Sequence, residues 1–394
     1  MTEPRPHDSS TPSTRPLDGV TVCTLVTNDV SIDGRVQKET ATLAAAGAEV
    51  TVIGVGTGSH WEAPAGCRLR LIEPMRASEN PVWPIRVLAN LAREREFERR
   101  LADAAEAVGA RIIHCNDLDT LWSGSRAARR TGARVVYDAH ELSTEGGLLR
   151  PWKRALLHRR EQRLARRAAA VIAVNRPIAE WLRAHCGLRE IPAVVMNGPS
   201  ACLVDDPQPH TPLRLLFQGQ FFADRNLGAL VEAVAGLGGA VELTLQGWGA
   251  EEERLRAMIA ERGLEDVVRL VPACRPQDTV REAARHDVGF IVHKPVNLNH
   301  FYSSPNKLFD YLGGGLAIIA SDLPVLREVV EGGSCGVLFD PDEAGALESA
   351  IHSLVEDPGR VAEMKANAAV ACHALSWSRQ AETLVKTYAG LLED

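Results

Sequence analysis

One pattern occurs twice in this chain and restricts its fold more than any other feature: a short apolar strand, a loop of polar and small residues, an amphipathic helix and a second short strand. The first occurrence opens with Val20–Val26, a β-branched run bounded by Gly19 and by the turn-forming Thr27, Asn28 and Asp29. A helix follows over Arg35–Ala46 with Val36, Thr40 and Leu43 inward, and Gly47 closes it before a strand over Glu49–Gly54. The second occurrence starts at Leu213–Phe217, passes through a loop Gln218–Asn226 and a helix Leu227–Leu237, and continues with strands at Val241–Leu245, Val268–Val271 and Val288–Val292 that alternate with helices. Strands alternating with helices build a parallel sheet covered on both faces, so the fold class is α/β with two doubly wound domains. With 394 residues the chain is long enough for two such domains, each with its own core.

The boundaries follow from composition. Residues 1–16 are rich in Ser, Thr and Pro and lack the apolar stretch of a signal peptide, so they are expected to be a disordered tail. A first domain is expected over 17–197, a linker over 198–212, a second domain over 213–376 and a separate helix over 377–394. The linker ends in Asp205-Asp206-Pro207-Gln208-Pro209-His210-Thr211-Pro212, a proline-stiffened run expected to be the hinge. No apolar run approaches the ~18 residues of a membrane span. The eight cysteines are scattered without a C-x-x-C pair, which predicts reduced, mostly buried thiols and a cytoplasmic location. The net charge of −7 divides unevenly, with an excess of five positive charges over residues 1–195 and of twelve negative ones beyond. No nucleic-acid motif accompanies the basic half, so nucleic acid is excluded as a partner. Eight of the eighteen residues from Arg150 to Arg167 are Lys or Arg, with Trp152, Leu156, Leu157 and Leu164 among them. Such a helix either lies on an anionic membrane, which would make the protein peripheral on the inner face, or covers the sheet with a solvated outer side.

In doubly wound sheets the ligand crevice lies at the carboxyl ends of the strands. The loop Thr27–Arg35 faces it, and its Asp33 and Arg35 are acceptor-side candidates: Arg35 meets a phosphate or the acceptor, or Asp33 merely starts a helix beside a solvated Arg. After a long charged helix over Ile85–Val108 and a strand over Arg111–Cys115 come Asn116, Asp117 and Asp119, read as the N-cap region of the next helix in preference to a metal site. The strand Val135–Tyr137 runs into Asp138, Ala139, His140 and Glu141 at the crevice, and Asp138, His140 and Glu141 are the catalytic candidates. The strand Ala170–Val174 and a helix begun by Asn175 and Pro177 follow. In the second half, Ser303–Asp322 reads as loop, helix and buried strand: Pro305 and Asn306 begin the helix, Leu308, Phe309 and Leu312 form its apolar face, and Gly313–Gly315 end it. A loop that feeds a helix N-terminus suits a phosphate.

These segments resemble the retaining glycosyltransferases of family 4 with the GT-B fold. In the donor signature of that family, two Glu residues flank seven others. Alignment puts Asp310 on the second Glu and Tyr302 on the first, so one carboxylate is shortened and the other missing. Gln218–Asn226 resembles the family's G-R-x-x-x-x-K-G element, with Gly219 retained, Arg225 at the second cation and Gln220 where an Arg is usual. Gly247 and Trp248 resemble the following G-x-G turn, Asp33-Gly34-Arg35-Val36 resembles a D-x-R-V element, and Asn197-Gly198-Pro199 an N-G turn at the end of the last strand of the first domain.

The resemblance implies two Rossmann-like domains across a cleft and a C-terminal helix that returns to the first domain. It implies transfer of a sugar from a nucleoside diphosphate sugar, as co-substrate, to a small-molecule, glycan or lipid-linked acceptor, with retention and without a metal or other cofactor. Gly219, Gln220, Arg225, Gly247, Trp248, Lys294, Ser304, Pro305, Asn306, Lys307 and Asp310 would bind the donor. His140 would contact the donor sugar as a neutral imidazole, with Asp138 and Glu141 orienting it or touching the acceptor. The losses at Tyr302 and Gln220 keep open a degenerate protein that binds a nucleotide sugar or partner without turnover. An inverting transferase or a sugar-nucleotide epimerase using His140 and Glu141 as base also stays open.

Overall fold

The computed structural model describes residues 15–56, 61–79, 82–147, 149–204 and 207–393. Residues 1–14 of the expected tail, and Asp205 and Asp206 of the linker, lie outside them. The first sheet holds β1 (Thr21–Leu25), β2 (Glu49–Val55), β3 (Cys67–Ile72), β4 (Ile112–Asn116), β5 (Arg134–Ala139), β6 (Ala170–Ala173) and β7 (Ala193–Val194). Its order is β3-β2-β1-β4-β5-β6-β7, parallel throughout. The second holds β8 (Leu213–Gln220), β9 (Val241–Trp248), β10 (Val268–Val271), β11 (Val288–Ile291), β12 (Ala317–Ser321) and β13 (Gly336–Phe339) in the order β10-β9-β8-β11-β12-β13, again parallel. In each sheet the order reverses beside the first strand, between β1 and β4 and between β8 and β11. Both crevices therefore open at the carboxyl ends of those strands.

The helices of the first half are α1 (Gly34–Ala45), α2 (Trp83–Glu106), α3 (Asp117–Thr131), α4 (Pro151–Ala165) and α5 (Arg176–Cys186). Local sequence explains where they begin. Asp33 caps α1 by accepting from the Val36 amide at 3.1 Å, and Asn175 caps α5 by accepting from Ile178 at 2.9 Å. Asn116 stands at the N-cap position of α3 but its side chain does not cap; its amide instead donates to Leu25 O at 2.9 Å. The helix thus starts where expected, but without a side-chain cap from Asn116, whose amide is taken by β1. The edge strand β3, Cys67-Arg-Leu-Arg-Leu-Ile72, was not foreseen, since its alternating Arg and Leu carry no long apolar run. Strands β8 and β9 also run three residues beyond their expected ends. Gln218–Gln220 and Gln246–Trp248 are strand, paired residue by residue, rather than loop and turn.

Alternate residues of the central strands feed two cores in the first sheet, as the pleat requires. Cys23 and Leu25 join the core formed with α2, α3 and α5. Val22, Val50, Val52, Ile112 and Val136 face the other way and meet Leu384, Tyr388 and Leu391, which belong to the C-terminal helix Trp377–Glu393. That helix therefore completes the second of these cores although the chain before it, from Leu213 on, builds the second sheet and its helices.

The proline-rich segment expected to be the hinge is instead fastened to the second sheet and its helices. The Leu203 amide donates to Gly313 O at 2.7 Å, and His210 Nδ1 lies 3.0 Å from the buried carboxylate of Asp287, which also accepts from Lys365 at 2.8 Å. Cys202 forms a disulfide with Cys372, their Cα atoms 6.3 Å apart, which corrects the expectation of eight reduced thiols. The six others are free, and Cys23, Cys115, Cys186 and Cys335 are buried. The chain crosses between the two halves at 196–199 and again at 375–377, and the crossings touch: the Trp377 amide donates to Pro199 O at 2.9 Å and Met196 N to Gln380 Oε1 at 2.9 Å. A Cβ on Gly198 would fall 2.0 Å from Leu375 O, so only glycine fits there. Gly198→Ala is expected to cost about 1–3 kcal/mol, as overpacking does, and to lower Tm by several degrees, whereas Gly239→Ala, with nothing within 4 Å of its Cβ, leaves Tm within about 1 °C. Thermal denaturation of the two variants side by side checks this.

Candidate active site

The cleft between the halves forms a cavity of about 420 Å³. Asp33, Arg35, His140 and Glu141 line it from one side and Ser304, Pro305 and Asn306 from the other, with Asp117 and Asn197 between them. Seven of the residues singled out in the sequence thus meet at one place. Strand order explains it, because β1, β4 and β5 are neighbours and the loops after them carry Asp33, Asp117 and His140.

Beneath this surface lies a buried ionic network. Arg35 is 5% exposed and grips Asp138 with three hydrogen bonds of 2.8 to 3.0 Å. It also pairs with Glu39 at 2.9 Å and donates to Val195 O at 2.6 Å and Asn197 Oδ1 at 2.9 Å. Its guanidinium is therefore fully engaged by the protein. The role expected for it, toward a phosphate or an acceptor, is corrected to that of an internal anchor; it is not a solvated Arg either. His114 lies 3.4 Å from Glu39 and 3.6 Å from Asp138, and its Nδ1 meets the hydroxyl of Tyr388 at 2.6 Å. Glu39, His114 and Tyr388 carry no local sequence signal of a site, being a helix-interior Glu, a mid-strand His and a Tyr near the C-terminus. Burial pushes Glu39 up, whereas Asp138, despite its burial, is held well below the usual carboxylate range by Arg35 and His140.

His140 sits on this network. Its Nε2 is 3.1 Å from Asp138, its Nδ1 is 3.3 Å from Asp117, and its backbone N–H donates to Asp117 at 2.8 Å. Asp117 adopts φ +60°, a conformation rare for a non-glycine residue, which aims its carboxylate back at His140. Burial opposes a charge on His140, but Asp117 and Asp138 outweigh it and lift the imidazole to about 10. The two carboxylates thus favour the protonated ring, against the neutral imidazole expected from sequence, although burial lifts Asp117 itself to about 7.

On the far side of the cleft, Lys307 and Asp310 belong to the helix Asn306–Gly314. The Lys307 ammonium lies 3.6 Å over the ring of Phe217 and would touch a Cβ on Gly219 at 3.3 Å. Gly247 packs so closely that a Cβ there would fall 1.8 Å from Gly219 O. Burial, then the Arg225 charge, holds Lys307 well below the usual lysine range. Arg225 lies 3.5 Å from Asp224, and its Nη1 is buried without a hydrogen-bond partner. Asp310 accepts from Thr279 Oγ1 at 3.0 Å and burial raises it to about 6. Gln220 and Trp248 end their strands exposed, and Lys294 reaches outward, 3.6 Å from Asp342. Tyr302 packs against the first core, and its carbonyl accepts from Asn175 at 2.8 Å. Three more amide contacts join the halves: Asn299 accepts from the Leu142 amide at 2.8 Å while its own NH₂ reaches Glu141 at 3.1 Å, and Asn197 donates to Asn306 at 2.8 Å.

Two family models match the chain, "Glycosyl transferase 4-like domain" over residues 34–198 and "Glycosyl transferases group 1" over 205–370. The chain belongs to the group 1 glycosyltransferases, and its two parallel-sheet domains are the GT-B architecture. Among curated proteins it is 30% identical over 142 residues to the amylovoran biosynthesis glycosyltransferase AmsK of Erwinia amylovora, which is 35% of each chain. It is 27% identical over 131 residues to the D-inositol 3-phosphate glycosyltransferase of Gordonia bronchialis, 33% of this chain and 27% of that one. These matches thus span about a third or less of either relative. Among solved structures, sucrose-phosphate synthase of Thermosynechococcus elongatus superposes with a TM-score of 0.74 at 19% identity, over 95% of this chain and 99% of that one. HepE of Anabaena, solved with UDP and glucose, superposes at 0.69 with 18% identity, over 94% and 100%.

The network carries a pH signature. His114, lifted to about 9 against burial by Asp138 and Glu39, and His140, lifted to about 10, both stand above the ordinary 6.5. A base whose pKa is raised by folding contributes stability that is complete below its unfolded value and is lost as pH rises through the folded one. Tm is therefore expected to fall between about pH 7 and pH 10, and His140→Gln should flatten part of that fall. A series of melts across this range in both proteins measures it; identical slopes would mean that His140 is not held as a cation.

Proposed function

We propose that the protein transfers a glycosyl group from a nucleoside diphosphate sugar to a hydroxyl or other nucleophile of an acceptor, with retention of anomeric configuration, in the cleft between its two domains. The observation that carries this reading is Lys307, which stands against Gly219 at the first turn of the helix Asn306–Gly314 and is depressed by burial and then by the neighbouring charge of Arg225. A diphosphate placed there neutralises both charges and receives the positive end of the helix dipole. Asp310, one turn further along, takes the ribose hydroxyls, and the sugar faces His140. The bond from the anomeric carbon to the diphosphate breaks, the acceptor oxygen bonds to that carbon from the same face, and its proton passes to the departing phosphate oxygen. Developing negative charge on the leaving group is met by preorganised cations, which is where such stabilisation is most effective. An imidazolium set between two carboxylates presents no net positive charge to the oxocarbenium-like sugar, so His140 can border it without repelling it. HepE, solved with UDP and with UDP-glucose, supports a uridine diphosphate sugar as the first donor to try.

Arg225→Ala and Lys307→Ala should each weaken UDP binding by about 1.5–3 kcal/mol, roughly ten- to more than a hundredfold. Because Lys307 is depressed in the free protein and an anion restores its charge, binding should take up protons, which calorimetry in buffers of different ionisation enthalpy reads directly. Turnover over a panel of donors, with the product anomer assigned by NMR, tests the reaction. An inverted product sinks retention, and tight binding with neither transfer nor donor hydrolysis leaves a binding protein.

The acceptor side supports a lipid-linked substrate. Helices α2 and α4 are tied by the ion pairs Lys153–Glu94 and Arg160–Glu98, and they expose Ile85 and Leu88 on one and Trp152 and Leu156 on the other among basic residues. Apolar side chains set among Arg and Lys suit an anionic membrane surface. The protein should co-sediment with anionic vesicles and be released above ~0.3 M salt, where the Debye length is roughly half its value near 0.1 M. Binding that ignores vesicle charge, or no binding at all, returns α4 to a solvated helix covering the sheet.

A further inference from the structure

On the other face of β5 from Asp138, a second cluster of buried donor atoms is left over by everything above. Tyr137, whose side chain points away from that of its neighbour as strand residues do, donates its hydroxyl to Glu161 Oε1 at 2.8 Å. This fixes the carboxylate so that Oε2 faces His185 Nε2, 3.8 Å away. Glu161 is 1% exposed and the buried Thr144 hydroxyl also faces its carboxylate, yet Oε2, Thr144 Oγ1 and His185 Nε2 are all without a hydrogen bond of normal geometry. Cys186, the next residue, is 0% exposed and its thiol is free. The donor atoms of Glu161, His185 and Cys186 lie within 4.8 Å of one another. The His185 ring is held in place by stacking on Trp181, with centroids 4.2 Å apart, and by the edge of His158 at 4.5 Å.

Orphaned buried atoms side by side are costly unless something fills the space between them. We propose that Glu161, His185 and Cys186 bind a divalent transition-metal ion of the zinc class. One carboxylate oxygen, one imidazole nitrogen and one thiolate form a mixed set of borderline softness, which suits a four-coordinate Zn²⁺ with its fourth position left to water. The 3.8 Å between Oε2 and Nε2 is wider than the roughly 3.3–3.4 Å between two ligands at about 2.0–2.1 Å on one tetrahedral ion, so binding requires the two side chains to close by about 0.4 Å. Tyr137 then does what carboxylate partners do at such sites: it holds the ligand in one orientation. The cluster Glu39, His114 and Asp138 offers donor atoms just as close together, but the Arg35 guanidinium already supplies the positive charge there. Among the described residues no Lys or Arg pairs with Glu161. His185 keeps 14% of its side chain exposed, which gives an ion a way in. The ion would tie the end of α5 to α4 behind the strand that leads to His140.

The test uses the full chain without an affinity tag, stripped by a chelator and titrated with Co²⁺. The expected result is one Co²⁺ per chain with a thiolate-to-cobalt charge-transfer band, displaced by Zn²⁺, and a Tm that rises with free Zn²⁺. Cys186→Ser should abolish the band, His185→Gln should remove stoichiometric binding, and Tyr137→Phe, which keeps every ligand, should weaken Co²⁺ about 10–100-fold. Cys67→Ser and Cys274→Ser should change nothing. The proposal is overturned if the unaltered protein shows no charge-transfer band, or if the band survives in Cys186→Ser. Should Cys186→Ser fail to fold, an unchanged Co²⁺ affinity in Tyr137→Phe and His185→Gln overturns it equally.

Discussion

The bond on which the site depends is the buried grip of Arg35 on Asp138. It joins the first turn of α1 to the end of β5, and the same guanidinium holds the end of the first domain through Val195 and Asn197. A charge this deep is tolerated only because every donor it has is used, and removing either partner would leave the other unpaired at a cost of about 3–5 kcal/mol. With Asp138 fixed, His140 has one carboxylate in a set position. Asp117, in its left-handed conformation, supplies the other. The crevice of the first domain is thus a rigid ionic surface rather than a group of independently mobile side chains.

The second domain meets this surface through neutral amides. Asn299, Asn175 and Asn197 exchange hydrogen bonds across the cleft with Glu141, Leu142, Tyr302 and Asn306. Each neutral bond among these contributes on the order of 1 kcal/mol against water, and the one to the Glu141 carboxylate about 1.5–3, so such contacts can hold a cleft shut and still release it. The strongly charged groups stay within their own domains: Arg35 with Asp138 in one, Arg225 near Lys307 in the other. That division lets the cleft open without separating buried ion pairs.

How far the sequence could be read follows from the range of the interactions. The two sheets, the caps at Asp33 and Asn175, and the helix starting at Asn306 rest on local patterns and are legible. So is the meeting of Asp33, His140, Glu141 and Asn306, because strand ends in a doubly wound sheet converge. What escaped depends on distant partners. Arg35 looked like a surface cation because Asp138 lies 103 residues away, and His140 looked neutral because nothing local announced that Asp117 would turn back on it. Cys202 and Cys372, 170 residues apart, could not be paired by spacing. Strand β3 failed for the opposite reason: an edge strand that alternates Arg with Leu carries little pattern to find.

The placement of the last helix has a consequence for how the protein is made. Leu384, Tyr388 and Leu391 fill the core against Val22, Ile112 and Val136, and Tyr388 also closes on His114. A ribosome delivers the first sheet long before it delivers this helix; at about 5–20 residues per second the gap is roughly 10 to 40 seconds. Through that interval the first domain stands with one face of its sheet covered only in part, by Val36, Leu43 and Ala44 of α1, and with a buried histidine lacking its partner. Its assembly cannot finish until the whole second domain has left the exit tunnel, so the two domains, though separate in architecture, share one moment of completion.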